Sequence, residues 1–289
     1  MDRILVATDF STRSDRALRR ASLIAKRVGA KMTLAHVVDA DRPEALIRSD
    51  QDAASTILAE SASTIRNDGI DTDWIVEIDD VHAGILLAAD KTSADLIVIG
   101  PHRSRLRDIF VGTTAERVTR LSTRPLLVAV EAPRAHHRRT LLALDFDKAS
   151  EAAGRKALAM GIFDRTEVVV MHAFAAPAEG MMKRAMLPSA DVSRYVEAER
   201  ETAGEALRTL LARLGLPPAC RTVVSMKGSP ARTILERAVE TDSDLIVLGT
   251  NQRKGFERAL VGSVTADVIR DAHRDVLIIP VDEAERGAD

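Results

Sequence analysis

The chain has 289 residues, and its 41 Lys and Arg residues nearly balance 43 Asp and Glu residues, so the formal net charge is −2. This balance excludes a globally basic surface that would hold nucleic acid or an anionic membrane. The apolar runs are shorter than the roughly 18 residues of a membrane span, and the single cysteine, Cys220, excludes an internal disulfide framework. We therefore expect a cytoplasmic protein with neither nucleic acid nor a membrane as a partner.

The first half of the chain alternates short Val-, Ile- and Leu-rich runs with longer segments of helical periodicity. Near-continuous apolar runs are typical of parallel strands that are buried on both faces. After the first run, apolar positions from Ala17 to Val28 fall on one helical stripe, and Gly29 suits the end of that helix. The runs predict strands near residues 3–8, 31–38, 72–78, 95–99 and 126–130.

The second half of the chain repeats the first. Residues 4–10 match residues 140–146, which aligns Asp9 with Asp145. Residues 94–100 match residues 243–249 in the same order along the chain. The second copy is longer because of an insertion, which we expect in the stretch of residues 175–195 that is rich in Ala, Met and Pro. The internal match predicts two copies of one structural unit.

Strands in the second copy are predicted near residues 140–145, 167–173, 221–226, 244–248 and 276–281. Strands that alternate with helices form parallel sheets with right-handed crossovers. The sequence therefore predicts an α/β fold with two tandem, five-stranded, parallel, doubly wound (Rossmann-like) domains. We expect the domains at residues 1–133 and 138–289, joined through the polar, basic segment 131–139.

Ligands of such sheets bind beyond the carboxyl ends of the strands, where the winding reverses. In the first copy, Asp9, His36 and Gly100 end three of the predicted strands, and Gly112-Thr113 precedes a helix. The equivalents in the second copy are Asp145, His172, Gly249 and Gly262-Ser263. A small residue and a hydroxyl at a helix N-terminus suit an anion, but they equally suit a plain helix cap.

These residues resemble the universal stress protein family in its tandem two-domain form, over essentially the whole chain. Nucleotide-binding members carry Gly-x2-Gly-x9-Gly-Ser/Thr after the fourth strand, an aspartate ending the first strand, and a His-Val pair ending the second. Thr8-Asp9-Phe10-Ser11 and His36-Val37 are similar to the last two elements. The pattern departs from the family at Gln252 and Arg103, which stand where the second glycine of the long motif would be.

The resemblance implies that the chain binds an adenine nucleotide, ATP, with the better site in the second copy and a degenerate site in the first. A Gln or Arg in place of glycine adds a side chain near the phosphates, where it would either bond a phosphate or fill the site. The residues implied are Ala143, Asp145, Ala173, Leu248, Gly249, Gln252, Gly262, Ser263 and Val264 in the second copy, and Ala7, Asp9, Val37, Ile99, Gly100, Gly112 and Thr113 in the first.

The resemblance also implies that the fifth strands, at residues 125–130 and 276–281, pair within the chain as an internal pseudo-dimer. The sequence does not decide whether two such chains also form a homodimer. No catalytic constellation or metal cluster is evident, so slow ATP hydrolysis is the most that the family suggests. The alternatives are a nucleotide-free scaffold that binds a protein partner, and an enzyme acting on a small molecule under the Met-rich insertion.

Two histidine features carry competing interpretations. His36 and His172 each share a strand end with an aspartate, which is compatible with the start of a metal site, but a structural hydrogen bond explains each of them better. The run from His136 to Arg139 is compatible with an anion-binding patch, although a solvated interdomain linker is the simpler interpretation.

Overall fold

The protein is described from a computed structural model that covers residues 1–101, 113–217, 220–226, 228–251 and 262–281. Strands and helices alternate through the first half, as the hydrophobic pattern predicts. Its elements are β1 (Arg3–Ala7), α1 (Thr12–Val28), β2 (Lys31–Asp39), α2 (Glu44–Asn67), β3 (Thr72–Asp79), α3 (Val81–Lys91), β4 (Leu96–Ile99), α4 (Thr114–Leu121) and β5 (Leu126–Val128).

The second half repeats this order with one additional helix, α6, which lies in the segment where the insertion is predicted. Its elements are β6 (Arg139–Ala143), α5 (Lys148–Ala159), β7 (Glu167–Phe174), α6 (Glu179–Arg184), α7 (Ser189–Leu214), β8 (Arg221–Ser225), α8 (Pro230–Glu240), β9 (Leu245–Asn251), α9 (Ser263–Asp271) and β10 (Asp275–Val281). Within the described ranges, none of the helices is long and apolar enough to cross a membrane.

The described strands form one sheet in the order β3-β2-β1-β4-β5-β10-β9-β6-β7-β8. Within each half, neighbouring strands are parallel and the first strand lies at the centre. The halves meet where β5 pairs antiparallel with β10, and Val128 lies opposite Val276. The doubly wound fold and the pairing of the fifth strands within the chain are both confirmed. The two five-stranded sheets are therefore not separate but continuous, edge to edge.

Apolar side chains cover both faces of this sheet. Successive residues of a strand point to opposite faces, so Ile4 and Val6 belong to one hydrophobic cluster and Leu5 belongs to the other. Each cluster contains residues from both halves; Leu127 and Leu277, for example, lie in the same one. This burial on two faces explains why the strands read as continuous apolar runs and not as alternating ones.

A buried polar cluster closes the junction between the halves. Asp275, at the start of β10, is fully buried, and its carboxylate accepts hydrogen bonds from Arg20 Nε (2.7 Å) and His137 Nε2 (2.9 Å). It also accepts bonds from the backbone N–H groups of Val130 (2.8 Å) and Glu131 (3.2 Å). One carboxylate from the second half thus binds helix α1 of the first half and both ends of the linker.

Candidate functional site

A cavity of about 430 Å³ opens at the carboxyl ends of β1, β2 and β4 in the first half. This is the edge of the sheet at which the sequence predicts a ligand. The cavity brings together five of the predicted residues, namely Ala7, Asp9, Val37, Ile99 and Gly100. Thr113 immediately precedes Thr114 and Ala115, which also line the cavity. Gly112 and Arg103 lie outside the described residues.

The loop between β1 and α1 positions Asp9 at the mouth of the cavity. Its carboxylate accepts hydrogen bonds from the backbone N–H (3.1 Å) and the hydroxyl (2.5 Å) of Ser11, and Arg13 lies 3.5 Å away. Burial acts to raise the pKa of Asp9, but the bonds from Ser11 and Ser14 and the charge of Arg13 outweigh it, so the pKa is lowered. The site therefore presents an ionised carboxylate, a group that accepts hydrogen bonds from ribose hydroxyls in dinucleotide-binding folds.

The two strand-end histidines brace this loop in both halves. His36 Nδ1 lies 2.8 Å from the carbonyl oxygen of Thr8, and His172 Nδ1 lies 3.0 Å from that of Leu144. A carbonyl only accepts, so each imidazole donates through Nδ1. Phe10 stacks on His36, and Phe146 stacks on His172. These contacts give both histidines a structural role; no group of three potential metal ligands occurs among the described residues.

Gly100 and Gly249 are required by close packing. A Cβ added at Gly100 would lie 2.6 Å from the backbone oxygen of Arg13, and one at Gly249 would lie 2.8 Å from the Cβ of Ala153. The helix after each first strand therefore rests directly on these glycines. Gly249 differs from the prediction in one respect: it lies within β9, paired with Ile279 of β10, and does not open the following loop.

The N-termini of the equivalent helices α4 and α9 differ in chemistry. Thr113 caps α4, accepting a bond from the N–H of Glu116 (3.1 Å), while the Glu116 carboxylate accepts one from the N–H of Thr113 (2.8 Å). This reciprocal capping box satisfies two N–H groups and adds a negative charge at the helix end. The N-cap of α9 is Gly262, which has no side chain to cap with, and the first turn carries no acidic residue.

The remaining predicted residues of the second half lie at the corresponding strand ends and helix start. Ala143 ends β6, Ala173 lies near the end of β7, and Leu248 precedes Gly249 in β9. Asp145 follows β6, and its Oδ1 lies 3.9 Å from His172 Nδ1. Gln252 lies outside the described residues. Gly262, Ser263 and Val264 form the N-cap and the first two residues of α9.

Several residues of the first-half site were not predicted from the sequence, and the polar ones include Arg13, Ser14 and Glu116. Arg13 and Ser14 line the cavity from the first turn of α1, and Ser14 Oγ lies 3.0 Å from Thr8 Oγ1. Glu116 closes the end of α4. The spacing Thr113-x-x-Glu116 is the pattern of a capping box and was a usable signal. Arg13 had a weaker signal, because it stands four residues after Asp9 on the entry to a helix.

The fold and the cavity define a tandem α/β protein whose cleft lies where doubly wound folds bind ligands. A model of the universal stress protein family matches the chain twice, over residues 1–129 and 136–280. The chain therefore belongs to the universal stress protein family, in a tandem two-domain form.

Individual relatives agree with this assignment. The stress response protein NhaX of Bacillus subtilis is 29% identical over 160 residues, which cover 44% of this chain and 96% of that protein. A universal stress protein of Methanocaldococcus jannaschii is 46% identical over 54 residues, which cover 19% of this chain and only 32% of the relative. A solved universal stress protein from Archaeoglobus fulgidus has a TM-score of 0.72 at 19% identity, covering 98% of this chain and 97% of its own, and shows the shared fold.

Proposed function

We propose that the chain is a cytoplasmic stress-response protein that binds an adenine nucleotide and acts through binding. The observation that carries this proposal is the edge of strand ends that the two halves share. In the second half, Asp145 and the N-terminus of α9, which has no side-chain cap, lie at this edge. At the same edge of the first half, Asp9, Val37 and Ile99 line a cavity of about 430 Å³. Its volume is in the range of small-molecule sites. Membership of the universal stress protein family supports the same interpretation. The single cysteine, Cys220, is consistent with a reducing compartment.

We assign the triphosphate of ATP to the second half and treat the first half as a degenerate site. At α4, the Glu116 carboxylate already occupies the helix N-terminus and would repel phosphate. At α9, none of the described residues caps the first N–H groups with a side chain, and none of them has an atom within 4 Å of a Cβ added to Gly262. An open, uncharged helix N-terminus is a favourable position for phosphate.

The test uses calorimetry with ATP on protein that has been denatured, stripped of nucleotide and refolded. We expect Asp145→Asn and Gly262→Val each to weaken ATP binding at least tenfold, which is about 1.4 kcal/mol. Asp9→Asn is the matched control in the first half and is expected to leave ATP binding within about twofold. Gly262→Val is informative because no described atom lies within 4 Å of an added Cβ, while the larger side chain would take the space assigned to phosphate.

Three results would contradict the proposal in distinguishable ways. Loss of ATP binding in Asp9→Asn alone would place the nucleotide in the first half. Equal losses in both Asp variants would remove the distinction between the halves. Absence of heat with the wild type, and absence of nucleotide released from the protein as first purified, would eliminate nucleotide binding.

The second candidate function is a nucleotide-free scaffold that binds a protein partner. It is favoured by the exposed apolar side chains around α6, where Met186 is 92% and Met181 is 62% exposed. Flexible methionines on a surface suit adaptable protein contacts. The absence of nucleotide binding in the experiment above would favour this candidate.

A further inference from the structure

A second cavity, of about 660 Å³, lies between the two halves and shares no lining residue with the strand-end cavity. Its walls come from α1, from the linker after β5, and from the turns that precede β9 and β10. Five arginines and two histidines line it, against three carboxylates. We call it the linker cleft.

Each carboxylate of the linker cleft already has polar partners. Glu131 pairs with Arg274 at 2.8 Å. Asp242 lies 3.5 Å from Arg138 and 3.6 Å from Arg274. Asp244 accepts bonds from the backbone N–H groups of Arg138 and Arg139. The two arginines on the opposite side of the cleft are therefore the ones that decide its chemistry.

Arg16 and Arg134 have no carboxylate partner within the described ranges. Arg16 donates from Nη1 to the carbonyl oxygen of Val130 at 2.6 Å, which holds its guanidinium at the cleft while its other N–H groups remain. Arg134 projects from the exposed linker into the same lining. Guanidinium groups that lack a carboxylate and converge from different elements are a recognised arrangement for binding phosphate in a bidentate manner.

His136, which lines the cleft, lies near a further group of cations that is distinct from Arg16 and Arg134. Burial lowers the pKa of His136, and the neighbouring charges of Arg27, Arg20 and His137 lower it further. Cations that disfavour protonation of an imidazole will favour an anion in its place. The duplication does not account for the charge of Arg16, because residue 152, which stands at its position in α5, is Ala, whereas the position of Arg20 keeps a cation, Lys156.

We propose that the linker cleft binds a small anion that carries two or more phosphate groups. Arg16 and Arg134 reach the cleft from two different elements, α1 and the linker, which suits two or more phosphates better than one. From the sequence, a solvated linker is the simpler interpretation of the run from His136 to Arg139. In the structure its members separate: His137 is buried on Asp275 and Arg139 begins β6, while His136 and Arg138 line the cleft.

The experiment titrates inorganic tripolyphosphate into the full chain by calorimetry at low ionic strength, using the wild type and Gly262→Val. Gly262→Val blocks the position assigned to the phosphates of ATP at α9, so binding that this variant retains belongs to the linker cleft. We expect wild-type protein to bind the probe, and the double variant Arg16→Gln/Arg134→Gln to bind it at least tenfold more weakly. Arg48→Gln/Arg194→Gln removes the same charge from exposed helix positions and is expected to match the wild type.

A single variant, circular dichroism and an NMR titration separate weakened binding from unfolding. Arg134→Gln alone alters an exposed linker side chain, so its weakened binding cannot be ascribed to unfolding, and circular dichroism checks the fold of every variant. In NMR titrations, tripolyphosphate is expected to raise the pKa of His136. Three results would overturn the proposal: no binding by the wild type, binding by the double variant within twofold of the wild type, or loss of binding in Gly262→Val.

Discussion

Gly100 lies where β4 passes under the first turn of α1, and the fit leaves no room for a side chain. The nearest atoms to an added Cβ are backbone atoms of Arg13 and Ser14, which cannot move without shifting the helix. Gly84 of α3 is packed just as closely, since a Cβ added to it would lie 2.5 Å from Val37 Cγ1. The glycines near the candidate site therefore set the distance between helix and sheet, and through it the shape of the cavity.

Gly100→Ala is expected to destabilise the protein by about 1–3 kcal/mol, the usual cost of overpacking a tight contact. The control is Gly204→Ala in α7, where the added Cβ would lie 3.9 Å from Val223 Cγ2, an ordinary contact, so no loss of stability is expected. Urea unfolding followed by circular dichroism measures both. Equal effects of the two substitutions would show that packing under α1 does not explain Gly100.

The sequence predicts which residues surround the first cavity, but it does not predict all of the contacts that these and neighbouring residues make. Asp9, Val37, Ile99 and Gly100 converge as expected, because strand ends of a parallel sheet must meet at one edge. The partners of Arg16 were not predictable in the same way. A charged residue on an amphipathic helix normally faces solvent, and only the path of the linker places Arg16 against Val130.

The helices α4 and α9 show how equivalent elements diverge in function. A glycine–hydroxyl pair stands at the start of both helices in the sequence. This similarity does not decide whether either helix start binds phosphate or is only capped. In α4 the helix starts one residue later, so Thr113 becomes the N-cap and pairs with Glu116. In α9 the glycine itself is the N-cap, and Ser263 becomes the first helical residue. A shift of one residue thus separates a closed helix end from an open one.

Thr113→Ala is expected to cost about 1 kcal/mol of stability, because it removes the side chain that caps α4. Ser263→Ala is its sequence-equivalent control and should cost less than about 0.5 kcal/mol, since Ser263 is not the N-cap. Midpoints of urea unfolding, with nucleotide absent, give the comparison. If Ser263→Ala cost as much as Thr113→Ala, the two helix ends would be equivalent and the assignment of phosphate to α9 would lose its support.

At the scale of the whole molecule, one sheet and one buried carboxylate hold the two halves together. Antiparallel pairing of β5 with β10 makes the core continuous, while Asp275 ties α1 and the linker to the second half. The sequence could predict the strand pairing from the family pattern. It could not predict the role of Asp275, because an aspartate before a strand is ordinarily a turn residue.

Asp275→Asn is expected to destabilise the chain by about 3–5 kcal/mol, because it leaves the buried guanidinium of Arg20 without a counter-charge. Asp271→Asn, at an exposed position, is the control and should change stability by less than about 0.5 kcal/mol. Urea unfolding of both variants measures the difference. A loss below about 1 kcal/mol in Asp275→Asn would mean that the buried cluster does not stabilise the junction.

The same carboxylate gives the junction a defined dependence on pH. Burial acts to raise the pKa of Asp275, but the bond from His137, the charges of Arg20 and His137, and the backbone bond from Glu131 outweigh it, and the pKa is lowered. A carboxyl group whose pKa is lower in the folded state stabilises the fold above its unfolded pKa, about 4, and loses that contribution as pH falls through the folded value. Wild-type stability should therefore fall below about pH 4 more steeply than that of Asp275→Asn, which lacks the titrating group. Unfolding curves between about pH 2.5 and 6 test this, and parallel profiles for the two proteins would show that other carboxylates govern acid unfolding.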